Sequence, residues 1–143
     1  MKLLIVDDCV EIVNILSSFL ELSDHETDKA HNGIEAVKLL RENSYNVVIT
    51  DAEMPEMDGI ALCKLIKSSF PDIYIIGISG SFNALNKLKE SGADICFSKP
   101  FHIDEIEKVI ENKCLSLPPD VGAPVGINDS SRLSGHLFTI AYS

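Results

Sequence analysis

Five short runs rich in apolar and β-branched residues, each followed by a stretch whose apolar residues recur at three and four, constrain this chain more than any other feature. The runs are Lys2 to Val6, Glu26 to His31, Val47 to Thr50, Ile73 to Ile78 and Ile95 to Ser98. After them come Ile12, Val13, Leu16, Phe19 and Leu20; then Ala36, Val37 and Leu40; then Leu62, Leu65 and Ile66; then Leu85 and Leu88; and last Ile103, Ile106, Val109 and Ile110. A strand without polar alternation is buried on both faces, and a strand–helix alternation repeated in this way requires a parallel sheet covered by helices on both sides. Glu26 to His31 is more polar than the other runs, which suits a sheet edge.

The stretch Val47 to Gly59 organises the rest. Its β-branched run places Asp51 at a strand's carboxyl end. Pro55 and Asp58-Gly59 then break the strand into a loop, and Asp58 is placed to cap the following helix. In open α/β sheets ligands bind at such junctions. The other strand ends supply Asp7 and Asp8, Ser79 and Lys99, all on the same edge. Three crowded carboxylates repel and raise one another's pKa unless a cation neutralises them, and hard oxygen ligands with room for water suit Mg²⁺. A lysine ammonium and a serine hydroxyl suit phosphoryl oxygens, and an aspartate beside a metal can itself be the nucleophile, giving an acyl phosphate. Phosphoryl transfer needs mostly positioning and charge neutralisation, so these groups suffice. Each has an ordinary reading alone: Asp7-Asp8 as amino-terminal capping and compensation of a helix dipole, Asp58-Gly59 as cap and turn, Ser79 as a loop hydroxyl, Lys99-Pro100 as a turn. Their conjunction at successive strand ends points to a site.

Composition narrows the function. At 143 residues the chain has room for one ordinary domain. No apolar run approaches the ~20 residues of a membrane span, and the opening strand stops at two aspartates, unlike a signal peptide, so a cytoplasmic protein without membrane contact is expected. A formal charge of −10 with two arginines, Arg41 and Arg132, argues against direct nucleic-acid binding. The four cysteines, Cys9, Cys63, Cys96 and Cys114, form no C-x-x-C pair and read as reduced, mostly buried thiols. From about Leu115 the chain turns Pro-, Gly- and Ser-rich, then ends in the apolar stretch Leu137 to Tyr142. That end reads either as a loosely held tail or as a strand that docks on this domain or a neighbour.

Over roughly residues 1 to 114 the chain resembles a response-regulator receiver domain of two-component signalling. The resemblance is carried by Leu4-Ile5-Val6-Asp7-Asp8, the Asp51 to Gly59 stretch, Ser79-Gly80, Gly92-Ala93-Asp94 and Lys99-Pro100-Phe101. It implies a flavodoxin-like doubly wound five-stranded parallel sheet of strand order 2-1-3-4-5. It further implies Asp51 as phosphoacceptor, with Asp8, Asp51 and the Glu53 backbone carbonyl as direct Mg²⁺ ligands and Asp7 acting through a bound water. Lys99 would contact the phosphoryl group, Ser79 would move toward it after transfer, and the Lys99-Pro100 bond would be cis. The expected function is a phosphorylation-controlled switch, loaded by a histidine kinase or phosphotransfer protein and acting through an unknown downstream protein as a monomer or weak dimer. Residues 115–143 would form a tail with no separate output domain.

Two positions depart from the family pattern. Cys96 stands where an aromatic residue usually rotates inward, and Phe97 cannot replace it because adjacent strand residues face opposite ways. Output is therefore expected to run through loop and backbone movement. Glu53 and Ser81, at positions resembling the family's lifetime-tuning sites, leave the phosphoryl group open to water, so a short to moderate lifetime is expected. Competing readings are a pseudo-receiver used only as an interaction module, a receiver fragment of a longer regulator, a Mg²⁺-dependent phosphohydrolase, and a flavin protein of the same topology. The phosphohydrolase would need a second aspartate two residues after the nucleophile, where Glu53 stands. The flavin protein would need a phosphate-cradling first loop in place of Asp7-Asp8-Cys9.

Overall fold

β3 (Val47–Asp51) is buried along its whole length, because neighbours pair with it on both edges and helices cover both its faces. In the computed structural model, which describes residues 1–115 and the pair 139–140, β3 lies between β1 (Lys2–Val6) and β4 (Tyr74–Ser79). β2 (Glu26–Ala30) and β5 (Ile95–Ser98) complete a sheet of order β2-β1-β3-β4-β5, with every pairing parallel. The polar run Glu26 to Ala30 does occupy an edge.

Side chains along each strand alternate between two cores. Leu3, Ile5, Val47, Ile49, Ile76 and Ile78 face one side, where α1 (Val10–Leu22) and α5 (Ile103–Leu115) supply Ile12, Leu16, Leu20, Ile106 and Ile110. Leu4, Val6, Val48 and Ile75 face the other, under α2 (Gly33–Glu42), α3 (Gly59–Ser69) and α4 (Phe82–Glu90), which contribute Leu40, Leu62, Ile66 and Leu88. Each fully buried aliphatic side chain contributes about 1.5–3 kcal/mol, so two cores sharing one sheet hold the strands from both faces.

Local signals set the helix boundaries. Asn32 caps α2 by accepting from the Glu35 amide at 2.8 Å, and Asp58 caps α3 by accepting from Ala61 at 2.8 Å. α4 stops at Ser91-Gly92, where Gly92 takes φ +113° and its amide donates to Lys89 O. Asp94 then accepts from the Ile75 amide at 2.8 Å and pairs with Lys67 at 3.4 Å, fixing the entry to β5.

One element lies outside the five-fold alternation. β6 (Phe101–His102) pairs antiparallel with β7 (Thr139–Ile140), with Phe101 opposite Ile140 and His102 opposite Thr139. The Pro/Gly/Ser-rich stretch 116–138 and the neighbours Ala141 and Tyr142 lie outside the described residues. Among the described residues no helix is long and apolar enough to cross a membrane. All four cysteines are free; only Cys63 is fully buried, while Cys9, Cys96 and Cys114 are half-buried. The expectation of mostly buried thiols was too strong, because Cys9 and Cys96 pack only against the margins of the two cores and Cys114 lies in the last turn of α5.

Candidate functional site

The carboxyl ends of β1, β3, β4 and β5 meet at one edge of the sheet, and hydrogen bonds beyond the strand ends hold their loops in register. Asp7 donates its amide to Ala30 O at 3.1 Å, Ala52 to Ile78 O at 2.9 Å and Lys99 to Ser79 O at 2.9 Å. The Lys99-Pro100 peptide is cis. These ties converge Asp7, Asp51, Ser79 and Lys99 on one open cavity of about 490 Å³, with Asp8, Glu53 and Ser81 also on its wall.

Asp7 and Asp51 are buried, at 3% and 7% exposure, while Asp8 is exposed. One oxygen from each of the three carboxylates lies within 4.8 Å of the other two. Lys99 Nζ sits 3.1 Å from Asp51 Oδ1 and 3.4 Å from Asp7 Oδ2. A single ammonium thus faces three carboxylates. Burial first, and the Asp7 charge second, push the Asp51 carboxyl up to about 6 despite the attraction of Lys99. Asp7 is likewise raised, chiefly by burial, although the Cys9 amide and Lys99 oppose the shift. Burial works against the Lys99 charge, but Asp51 and Asp7 outweigh it and hold the ammonium above its ordinary value. Three hard oxygen donors left with excess negative charge are the donor set a small divalent cation such as Mg²⁺ requires.

Neighbouring groups orient the site. Asp7 Oδ1 accepts from the Cys9 amide at 2.9 Å, and Cys9, the residue before α1, makes no side-chain cap. Neither aspartate caps α1 with its side chain in the way Asp58 caps α3, so side-chain capping does not explain the acidic pair. Ser79 Oγ accepts from the Ser81 amide at 3.0 Å, and Ser81 Oγ accepts from the Ala84 amide at 3.3 Å as the cap of α4. The Ser79 hydroxyl is therefore tied to the first turn of that helix.

Asp7, Asp8, Asp51, Glu53, Ser79 and Lys99, all singled out from the sequence, line this one cavity. Asp58 is not among its lining residues and acts as a helix cap. Cys96 also lies elsewhere. It stands opposite Gly77 in the β4–β5 pairing and packs with the α4 side of the sheet, its thiol reaching toward Leu85 O at 4.0 Å, while Phe97 packs against the opposite core. The alternation of strand faces rules Phe97 out as a stand-in, as expected.

Sequence reasoning missed the role of Gly59. A Cβ there would lie 1.9 Å from the Asp51 carbonyl oxygen, so α3 rests directly on the end of β3 and only glycine permits that approach. The sequence signal was present, a glycine right after the capping Asp58, but it reads equally as a turn.

A parallel sheet with a lysine-bridged acidic cavity at its carboxyl edge defines the class. The response regulator receiver domain model matches residues 3–111. A Haemophilus influenzae transcriptional regulatory protein, a CpxR homolog, is 38% identical over 107 residues, covering 73% of this chain and 46% of that protein. Sporulation initiation phosphotransferase F of Bacillus subtilis is 33% identical over 112 residues, covering 77% of this chain and 90% of that one. The receiver domain of Francisella response regulator 1452 superposes with a TM-score of 0.72 at 31% identity, over 78% of this chain and 93% of the other. The fold is also that of a two-component response regulator from Clostridium difficile, with TM-score 0.76 at 23% identity, covering 81% and 97% of the two chains. This chain belongs to the response regulator receiver domain family. It spans about half the length of the CpxR homolog but nearly all of the Bacillus protein. The role of that family is phosphorylation-controlled signalling, and membership in it does not favour the pseudo-receiver reading.

Proposed function

We propose that Asp51 is the phosphoacceptor and that this chain signals by changing which protein it binds once Asp51 is loaded. The observation that carries the reading is the Lys99 ammonium, 3.1 Å from Asp51 Oδ1, at the mouth of a cavity walled by two further carboxylates. Asp51 attacks the phosphorus of a phosphohistidine on a sensor kinase or phosphotransfer protein. The new Asp51 O–P bond forms as the P–N bond breaks, and the electron pair and a proton stay with the imidazole. Asp7, Asp8 and Asp51, with the Glu53 carbonyl, would hold Mg²⁺, which when bound neutralises charge on the phosphoryl oxygens.

Once phosphorylated, the Asp51 carboxyl no longer carries the negative charge that holds Lys99. The ammonium then donates to a phosphoryl oxygen. Ser79 already accepts from Ser81 and has its own proton to give, so its turn toward the phosphoryl group pulls on the cap of α4. That movement reaches the protein's surface through backbone and helix position, since Cys96 offers no aromatic ring to swing. Glu53 and Ser81 border the cavity without shielding it, so water reaches the acyl phosphate and the domain both loads itself from small phosphodonors and discharges. The action is cytoplasmic and without nucleic-acid contact by this domain, in keeping with its charge of −10, and the working unit is a monomer or weak dimer. Intact-mass spectrometry after incubation with acetyl phosphate, with and without Mg²⁺, tests the reading. One Mg²⁺-dependent phosphoryl adduct, absent from Asp51→Asn, is expected; no adduct under any condition would overturn it.

A further inference from the structure

The connection from Lys99 to His102 is held at two points. At its start, Lys99 bridges Asp51 and Asp7 through its side chain and binds Ser79 O through its amide. Two residues on, Phe101 is 3% exposed and anchored in the core beneath α1 and α5, and among the described strands the β6 it belongs to pairs with β7. The occupant of the β6 edge is thus this chain's own Thr139–Ile140. Residues 115 and 139 are 24 peptide units apart, a span that when extended reaches ~80 Å, and the intervening sequence is Pro-, Gly- and Ser-rich. Nothing in its length prevents docking in cis.

We propose that Thr139–Ile140 is a tethered strand that docks in cis on the β6 edge as a strap over the Lys99-to-His102 connection, and that its docking and phosphoryl occupancy of the acidic cavity strengthen each other. The docking stands on the backbone pairing alone; the coupling rests also on the phosphoacceptor reading of Asp51. A phosphoryl group carries more negative charge than the Asp51 carboxylate it replaces as partner of the Lys99 ammonium, so it holds the connection more firmly at its first residue. The strap fixes the same connection from β6. Whichever binds second has less freedom left to remove, and the coupling is reciprocal.

The test uses the full chain and a Thr139→Pro/Ile140→Pro variant, in which both strand amides are lost while every buried core residue among the described side chains is retained. Amide hydrogen exchange at whichever of Phe101 and His102 turns its amide toward β7, one of two adjacent strand residues, is expected to be roughly fivefold or more slower in the wild type, corresponding to about one net hydrogen bond, and independent of protein concentration. Beryllofluoride with Mg²⁺, a phosphoryl mimic, is expected to bind the variant roughly two- to fivefold more weakly. A chain ending at Leu115 should match the variant in both measurements. Equal exchange in wild type and variant overturns the docking, and protection that grows with concentration overturns docking in cis in favour of exchange between two copies. Faster exchange in the variant with unchanged beryllofluoride affinity overturns the coupling. Failure of the wild type itself to bind beryllofluoride overturns both the coupling and the phosphoacceptor reading, and the exchange data then report on docking separately.

Discussion

Replacing Asp51 by Asn should stabilise the metal-free protein at neutral pH, although it destroys the acceptor. The carboxyl, ordinarily near 3.8, is pushed up to about 6, first by burial and then by Asp7. The folded state therefore holds this proton more tightly than the unfolded chain. With respect to Asp51, stability is fully present below about pH 3.8 and is lost as the pH rises to about 6. A shift of that size corresponds to ~3 kcal/mol, already net of the attraction of Lys99. Asn keeps the shape but gives Lys99 a weaker partner, leaving it Asp7 at 3.4 Å, so a net gain of about 1–2 kcal/mol is expected above about pH 7. For a domain of this size that is a rise in Tm of about 4–8 °C. Thermal unfolding in EDTA across pH 4 to 8 measures it, with the gain shrinking toward zero near the acid end. Adding Mg²⁺ should stabilise the wild type by mass action and the variant much less, closing or reversing the gap. A variant no more stable than wild type in EDTA at neutral pH would refute the claim that crowding of buried carboxylates strains this edge.

Other perturbations read other parts of the site. Gly59→Ala puts a methyl group 1.9 Å from the Asp51 carbonyl oxygen and should cost about 3 kcal/mol or more in chemical denaturation while also lowering phosphoryl loading; a loss under ~1 kcal/mol would show that α3 does not rest on the end of β3. Lys99→Ala removes the only ammonium bridging Asp51 and Asp7 among the described residues, so NMR titration should show the Asp51 carboxyl rising above its wild-type value and acetyl phosphate loading should slow by ~10-fold or more. Glu53→Lys places a cation on the rim of the cavity and should change the rate at which the acyl phosphate hydrolyses; identical decay in wild type and variant would remove Glu53 from lifetime control. Cys96→Tyr fills the space beside Gly77 and α4; if the position matters to output, the ratio of partner affinities before and after phosphorylation changes, and an unchanged ratio dismisses it.

How much was legible in the sequence follows from the range of the interactions involved. The β-branched runs and the three-and-four periodicity predicted five strands and five helices with boundaries off by only a residue or so, since each is set by neighbours within a turn: Asn32 and Asp58 cap, and Gly92 stops α4. Asp7, Asp51, Ser79 and Lys99 were legible because parallel topology brings all carboxyl ends to one edge, which converts a local feature into a shared location. What was not legible depends on contacts far apart in sequence. The close approach of α3 to β3 at Gly59 requires knowing how the helix lies on the strand. The pairing of Phe101–His102 with Thr139–Ile140 joins residues 37 and 39 positions apart, and the apolar composition of Leu137 to Tyr142 left open a loose tail or a strand without naming a partner. The ordinary reading of Asp7-Asp8 as a helix cap could be set aside only once Cys9 was seen to stand before α1, with Asp7 turned back to its amide.

The central claim is that the phosphoryl group sits on Asp51 and on no other carboxylate of this crowded edge. Reduction of the acetyl phosphate-treated protein with borohydride converts an aspartyl phosphate to homoserine, and peptide mass spectrometry locates the converted residue. Homoserine at position 51 alone is the expected result. Conversion at Asp7, Asp8 or Asp58, or an adduct that survives borohydride unchanged, would contradict it.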